Sequence, residues 1–540
     1  MMSVSRLDNW EQKHKEREKE FRKQQRSEFF AKNGSLLKWI LVFAVIFVIA
    51  LPLIGFGAYM FQSYSGNSSA VVSGDSIVVK KGGDFQDALN KAKPGDTIFL
   101  EAGASFVGNF SLPKKSGDAF ITIRTAAKDS EIPAENTRID PKKYAAVLPK
   151  ISSPNNDPVI DAVGGAHHYR FLAVEFGGTK DGMNNIIKLG TTEEKTIEEL
   201  PHHIEFDRVY IHATSPDGQR RGIAANGKFV KIINSYIEGI RRKGDESQGI
   251  AVWATDGPVE IINNYIEGAA ENILFGGAGS YLKLVPTDCL VRDNYLNKPL
   301  EWRKDNWVVK NLFEIKNGRR IKVENNLMTN NWAMAQEGTA VLFTVRADNG
   351  DASIIEDIMF VNNVVRGSGN AVNILGEEGS GGHKLTIINN VFEDIDQKKW
   401  GGRGFFLLSN DWDGLTVEKN TVIHKGSITI AYGKPVKNFV FRDNIVFENE
   451  YGFKGDDIGS GQVTIDRYYS GGTVANNIII GGPSSRYKQQ NFLISSIKQI
   501  GFVNPENSNY RLQSGSPYLT KGTDGKQIGA NLDTELVGGN

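Results

Sequence analysis

The sequence predicts an all-β chain wound as a parallel β-helix and preceded by one transmembrane helix. Two observations carry that expectation. A short motif of alternating apolar residues broken by Asn or Asp recurs between residues 230 and 479, and one uncharged apolar run, 39–61, stands ahead of it. Cysteine content adds a third: Cys289 is the only cysteine in 540 residues, so no internal disulfide is available and a large core must supply rigidity.

The motif reads VKIINSYI at 230–237, VEIINNYI at 259–266, CLVRDNYL at 289–296, IKVENNLM at 321–328 and IMFVNNVV at 358–365. It continues as LTIINNVF at 385–392, LTVEKNTV at 415–422, FVFRDNIV at 439–446 and GTVANNII at 472–479. Its sixth position is Ser235, then Asn264, Asn294, Asn326, Asn363, Asn390, Asn420, Asn444 and Asn477, at intervals of 24 to 37 residues. A unit repeated at such intervals builds a solenoid or a propeller. Each unit supplies short strands of period two, bent at a polar residue. Stacked in parallel, the units pair every strand with copies above and below and merge their apolar residues into one core. At the bend, Asn tolerates positive φ, and its amide can bond the Asn one coil away to form a ladder. A propeller blade needs four antiparallel strands joined by regular hairpin turns, which the sequence lacks, so the solenoid is favoured.

Composition agrees. Glycine is abundant at 58 and proline sparse at 17, as in a turn-rich all-β protein, and 40% hydrophobic residues suffice for a long core. The 63 basic and 63 acidic residues cancel, which argues against a nucleic-acid partner.

Residues 39–61, WILVFAVIFVIALPLIGFGAYMF, make about 23 residues or roughly 34 Å of helix, enough to span a bilayer. Ten basic residues precede this run and none follows until Lys80, so the positive-inside rule places the N-terminus in the cytoplasm. A cleaved signal peptide is the competing reading, but the apolar run and its charged leader are both too long for one. The expected organisation is a charged cytoplasmic tail, 1–38, a transmembrane helix, 39–61, and a small polar linker, 62–74. Residues 75–540 then form the β-helix outside the cytoplasmic membrane, periplasmic or extracellular.

On these motifs the chain resembles the right-handed parallel β-helix proteins of the pectate-lyase-like superfamily over residues 75–540. Residues 78–112 are similar to that family's N-terminal cap, with a short helix over 84–92 closing the first coil and Gly103 turning it. Residues 502–530 are similar to its closing segment. The resemblance implies lyase, hydrolase or epimerase action on acidic polysaccharides.

The densest polar stretch is 298–346. Alternation in NLFEIKNG puts Phe313 and Ile315 in the core and projects Glu314 and Lys316 outward, and one coil later TAVLFTVR delivers Arg346. A Lys followed by an Arg one coil on resembles the chondroitinase-B and alginate-lyase family, which implies Lys316 as base and Arg346 as neighbouring acid or charge stabiliser. That family holds calcium with acidic residues five and seven positions before the lysine. Here those positions are Asn311 and Val309, which leaves Glu271 and Glu314 as the nearby metal candidates. Glu271, Lys298, Arg303, Arg319, Trp332 and Gln336 are the candidate substrate-binding residues. The bland alternative is that Glu314, Lys316, Arg319 and Arg346 form a surface ion-pair network, and that Trp302, Trp307 and Trp332 pack beneath loops rather than stack on sugars. Asp245 and Glu246 read as a solvated loop. His167-His168 and His202-His203 lie in early coils with no third metal ligand in view.

The leading functional expectation is β-elimination or epimerisation of an acidic glycan by a protein anchored through residues 39–61. Two others stand beside it: a non-catalytic glycan-binding protein, and a structural or assembly protein in which the solenoid is a rigid spacer.

Overall fold

The computed structural model describes residues 74–538 apart from Gln489 and Leu536. The charged tail, the apolar run 39–61 and residues 62–73 of the linker lie outside the described residues, and the expected membrane anchor lies there with them. Among the described residues no helix is long and apolar enough to cross a membrane.

Three sheets of 15, 14 and 12 strands, each parallel throughout, run the length of the described residues. One coil shows the plan: Val259–Ile262 lies in the first sheet, Tyr265–Glu267 in the second and Glu271–Phe275 in the third. This is a parallel β-helix, as the repeat implies, and nearly all strand–crossover–parallel strand connections wind right-handed, the hand expected for such a coil. The inward positions stack in register. In the first sheet Ile232, Ile261, Val291, Val323, Phe360, Ile387, Val417, Phe441 and Val474 form one row, and every member is buried.

The motif's polar residues make the corner between the first and second sheets. The sixth-position residues form a continuous ladder in which each backbone N–H donates to the side-chain oxygen of the next. The distances are 2.8 Å for Ser235 to Asn264, 2.9 Å for Asn264 to Asn294 and 3.0 Å for Asn294 to Asn326. The series continues through Asn363, Asn390, Asn420, Asn444 and Asn477 to Asn491. Positive φ belongs to the fifth position, not the sixth as expected. Asn234, Asn263, Asp293, Asn325, Asn362, Asn389, Lys419, Asp443 and Asn476 all have φ between 53° and 61°. The physical reason is a division of labour. The left-handed residue turns the chain, and its neighbour, left in ordinary backbone geometry, can point its amide along the stack.

The ends are closed. Ser76–Val79 pairs with Thr97–Leu100 as the first rung, and the helix Phe85–Lys91, capped by Asp84, packs Phe85, Ala88 and Leu89 onto the open core. At the other end Phe502–Asn504 and Asn509–Leu512 form an antiparallel pair. The chain then returns along the outside of the second sheet as a strap. Gly529 donates to the Asp443 carbonyl at 2.8 Å, Ala530 to Thr421 Oγ1 at 3.0 Å, Asn531 to Asn389 Oδ1 at 2.7 Å and Gly538 to the Asn325 carbonyl at 3.0 Å. Beneath it Leu327, Val364, Val391, Ile445 and Ile478 form a second apolar cluster with Ile528, Ala530 and Val537.

Candidate active-site cleft

The third sheet carries the cleft. Glu314, Leu342, Asn373, Leu408, Ile430 and Lys454 are register partners on successive strands, so five strand spacings make an outward row of roughly 24 Å. A depression of about 640 Å³ follows this row, walled by Lys316, Gln336, Glu337, Arg346, Arg403, Tyr432 and Asp456. Lys316 and Arg346, from adjacent coils, do meet in one cleft. The Arg346 backbone N–H donates to the Lys316 carbonyl at 3.1 Å, and the Lys316 ammonium stands 4.0 Å from Glu314 Oε1. Phe313 and Ile315 point into the core, as the alternation requires.

Glu314 is the unusual group. It is 2% exposed, accepts from Thr344 Oγ1 at 3.2 Å through Oε1, and leaves Oε2 buried without a partner. Burial, and then the Glu271 carboxylate, push its pKa up to about 7. Such a carboxyl can donate or accept a proton near neutrality. The Arg346 guanidinium pairs with Glu378 at 2.8 Å, and Arg403 with Glu337 at 3.0 Å across the rim.

Behind the cleft, the first positions of the third-sheet strands form a buried polar chain. Arg221 donates to Asn185 Oδ1 and to Gln248 Oε1, both at 2.9 Å, and Gln248 donates to Glu271 Oε2 at 2.9 Å. Lys310 closes it, with its ammonium 2.9 Å from Glu271 Oε1 and 2.8 Å from Glu246 Oε1. Burial opposes the charge on Lys310, but the two carboxylates outweigh it and its pKa is raised. Glu246 is an exposed loop residue, as expected, but an ion-paired one: burial of its carboxyl raises its pKa, yet Lys310 holds it below its ordinary value. Lys310 escaped sequence reasoning because nothing in VVKN reveals that Asn311 registers against Glu271.

The candidate substrate-binding residues divide. Gln336 is on the rim, accepting from Asn311 Nδ2 at 3.2 Å. Glu271 is fully buried in the polar chain and presents nothing to the cleft. Lys298 is also fully buried. It donates to the Ala269 carbonyl at 2.9 Å and Asn272 Oδ1 at 3.1 Å, and burial drops its pKa to about 7. Arg319 belongs to the first sheet, 3.9 Å from Glu356, outside the cleft lining. Trp332 is packed with Trp302, Trp307 and Trp400 in a buried cluster, and the exposed Arg303 lies over Trp332 and Trp400 at 5.7 and 5.3 Å. The tryptophans are thus underpinning for loops rather than an open stacking platform.

These residues do not fit calcium. The ion takes six to eight oxygens, whereas Glu271 Oε1 is already held by the Lys310 ammonium. Asn311 Oδ1 and Glu314 Oε2 are the unpartnered oxygens left beside it, and two ammonium groups stand close by.

Elsewhere, the stack brings the two histidine pairs together. His167 Nδ1 lies 2.8 Å from His168 Nδ1 and His202 Nδ1 lies 2.9 Å from His203 Nδ1, while His167 stacks on His202 and His168 on His203. A third potential ligand, absent from view in the sequence, is therefore present: ligand atoms of His167, His168 and His202 all fall within 4.8 Å of one another. Burial, and then the neighbouring imidazoles, push His202 down to about 3, so its ring is neutral.

The chain is a parallel β-helix protein with a polar cleft on one stacked sheet. No protein-family model matches it, and no curated protein does. Among solved structures it is similar to the PL6 family alginate lyase AlyGC, at 15% identity and a TM-score of 0.45 over 77% of this chain and 53% of that one. It is also similar to a mannuronic acid specific polysaccharide family 6 lyase enzyme from human gut microbiota, at 12% identity and a TM-score of 0.44 over 77% of this chain and 91% of that one. With pectate lyase Pel9A the identity is 13% and the TM-score 0.33 over 86% and 98%. The chain spans about half the length of AlyGC.

Proposed function

We propose that the cleft of the third sheet takes an acidic polysaccharide and cleaves it by β-elimination. The observation that carries this reading is the meeting of Lys316 and Arg346, from adjacent coils, beside the buried carboxyl of Glu314. In its free-base form the Lys316 amine removes the proton α to a uronate carboxylate, and the Arg346 guanidinium offsets the charge that develops there. The electron pair forms a carbon–carbon double bond and expels the glycosidic oxygen, which takes a proton from Glu314 or Arg346. Lys454 and Arg403 extend positive charge along the groove, as an anionic chain crossing several coils requires. Residues 39–61 anchor the chain in the cytoplasmic membrane and hold the β-helix outside.

The test is incubation with a panel of uronate-containing glycans while the ultraviolet absorbance of an unsaturated product is followed. Product formation that survives in Lys316→Ala and Arg346→Ala refutes the site. The pairing of Arg346 with Glu378 favours a second reading, binding without turnover. Glycan retention by the wild type with no product would select it.

A further inference from the structure

We propose that Lys310 is a built-in cation that takes the place of a divalent metal behind the cleft, so that the site is complete without calcium. This rests on the reading of the cleft as a site for an acidic glycan, but the charge balance that argues for it is independent of any substrate. Glu246, Glu271 and Glu314 bring three carboxyl groups around one ammonium: Glu314 lines the cleft, Glu271 is fully buried and Glu246 is half-exposed. Like charges gathered this way, two of them buried, must be neutralised by protons, by a metal or by cationic side chains. Here the Lys310 ammonium sits between Glu246 and Glu271 at 2.8 and 2.9 Å and is itself only 6% exposed.

The ammonium holds two further things in place. Glu246 lies just ahead of the strand Gln248–Val252, so its bond to Lys310 ties that loop to the start of the strand Asn311–Ile315, two strands further along the third sheet. Glu271, held at both oxygens by Lys310 and Gln248, is fixed at the position from which its charge raises Glu314. Lys310 is therefore a positioning residue. It holds Glu271 stationary behind Glu314, the one carboxyl of the three that lines the cleft. A divalent ion in the same place would instead draw Glu314 into coordination as a carboxylate.

The experiment uses the full chain in detergent and reads metal binding and thermal stability rather than turnover. Calorimetric titration of the wild type with calcium chloride is expected to show no stoichiometric site, and EDTA is expected to leave Tm unchanged. Lys310→Met, which removes the charge and keeps the bulk, is expected to lower Tm by several degrees, with part of that loss restored by added calcium and none by sodium at equal ionic strength. Lys310→Arg is expected to retain most of the wild-type Tm. One calcium bound per chain in the wild type and lost in Glu271→Gln would overturn the proposal. So would a Lys310→Met protein with wild-type Tm and no response to calcium. If Lys310→Met does not fold, the wild-type titration and Lys310→Arg still decide. Absence of turnover on every glycan would count against the proposed function while leaving these readings untouched.

Discussion

Replacing Asn363 by alanine breaks the corner ladder near its middle. In the native protein its Oδ1 accepts from the Asn326 backbone N–H at 2.9 Å and from Asn326 Nδ2 at 3.0 Å. Its own Nδ2 donates to the Val323 carbonyl at 3.0 Å and to Asn390 Oδ1 at 3.2 Å. Asn326 Nδ2 keeps other acceptors, the Val291 and Glu324 carbonyls. The groups stranded by the substitution are the Asn326 N–H and the Val323 carbonyl, at a corner sealed from water. At about 1–3 kcal/mol for each buried unsatisfied group, the expected loss is about 2–6 kcal/mol. Asn491 is the internal control. It ends the ladder, is only partly buried, and accepts from Asn477 at 3.0 and 2.9 Å, so water can replace much of what Asn491→Ala removes. Urea unfolding followed by tryptophan fluorescence compares the two. A loss at Asn363 no larger than at Asn491, or below about 0.5 kcal/mol, would refute the view that the ladder stabilises the coil.

Glu314→Gln tests the raised carboxyl through pH. A carboxyl shifted up from 4.5 to about 7 contributes stability that is fully present below about 4.5 and lost as pH rises through about 7. The variant's Tm is therefore expected to fall less than the wild type's between pH 5 and 8, by the equivalent of up to about 3 kcal/mol, and parallel curves would contradict the assignment. Lys298→Met strands the carbonyls and amide oxygen that its ammonium holds, and is expected to cost about 2–4 kcal/mol in denaturant unfolding. Trp332→Ala is expected to lower stability by about 3–5 kcal/mol, and glycan affinity measured below its Tm should be unchanged. On any glycan that is turned over, Lys316→Ala is expected to slow product formation by about 100- to 10,000-fold.

The solenoid was legible because its signal is local and repeated: nine copies of one motif place the apolar rows and the corner, and the alternation in NLFEIKNG aims Lys316 correctly. What stayed hidden depends on register between coils. Nothing local says that Lys310 faces Glu271, or that Lys298 turns inward to the carbonyls of a corner one coil earlier. Nor does composition distinguish a tryptophan under a loop from one on a binding face. The division between the fifth and sixth motif positions is equally invisible where both are Asn, as in Asn263-Asn264. It shows most plainly at Lys419-Asn420, where a lysine occupies the left-handed position at φ 53° and asparagine keeps the ladder. The ladder's last member, Asn491, lies outside any recognisable motif because no apolar alternation precedes it.

A stack of coils whose members touch only their neighbours can in principle come apart like a zipper, one tooth at a time from a free end. The returning segment 529–538 forbids that at one end, because it is bonded to the rungs of residues 443, 421, 389 and 325 in turn. Fraying of the last rungs must shed this lacing and expose the apolar face beneath it, which couples distant parts of a quasi-linear molecule into one cooperative unit.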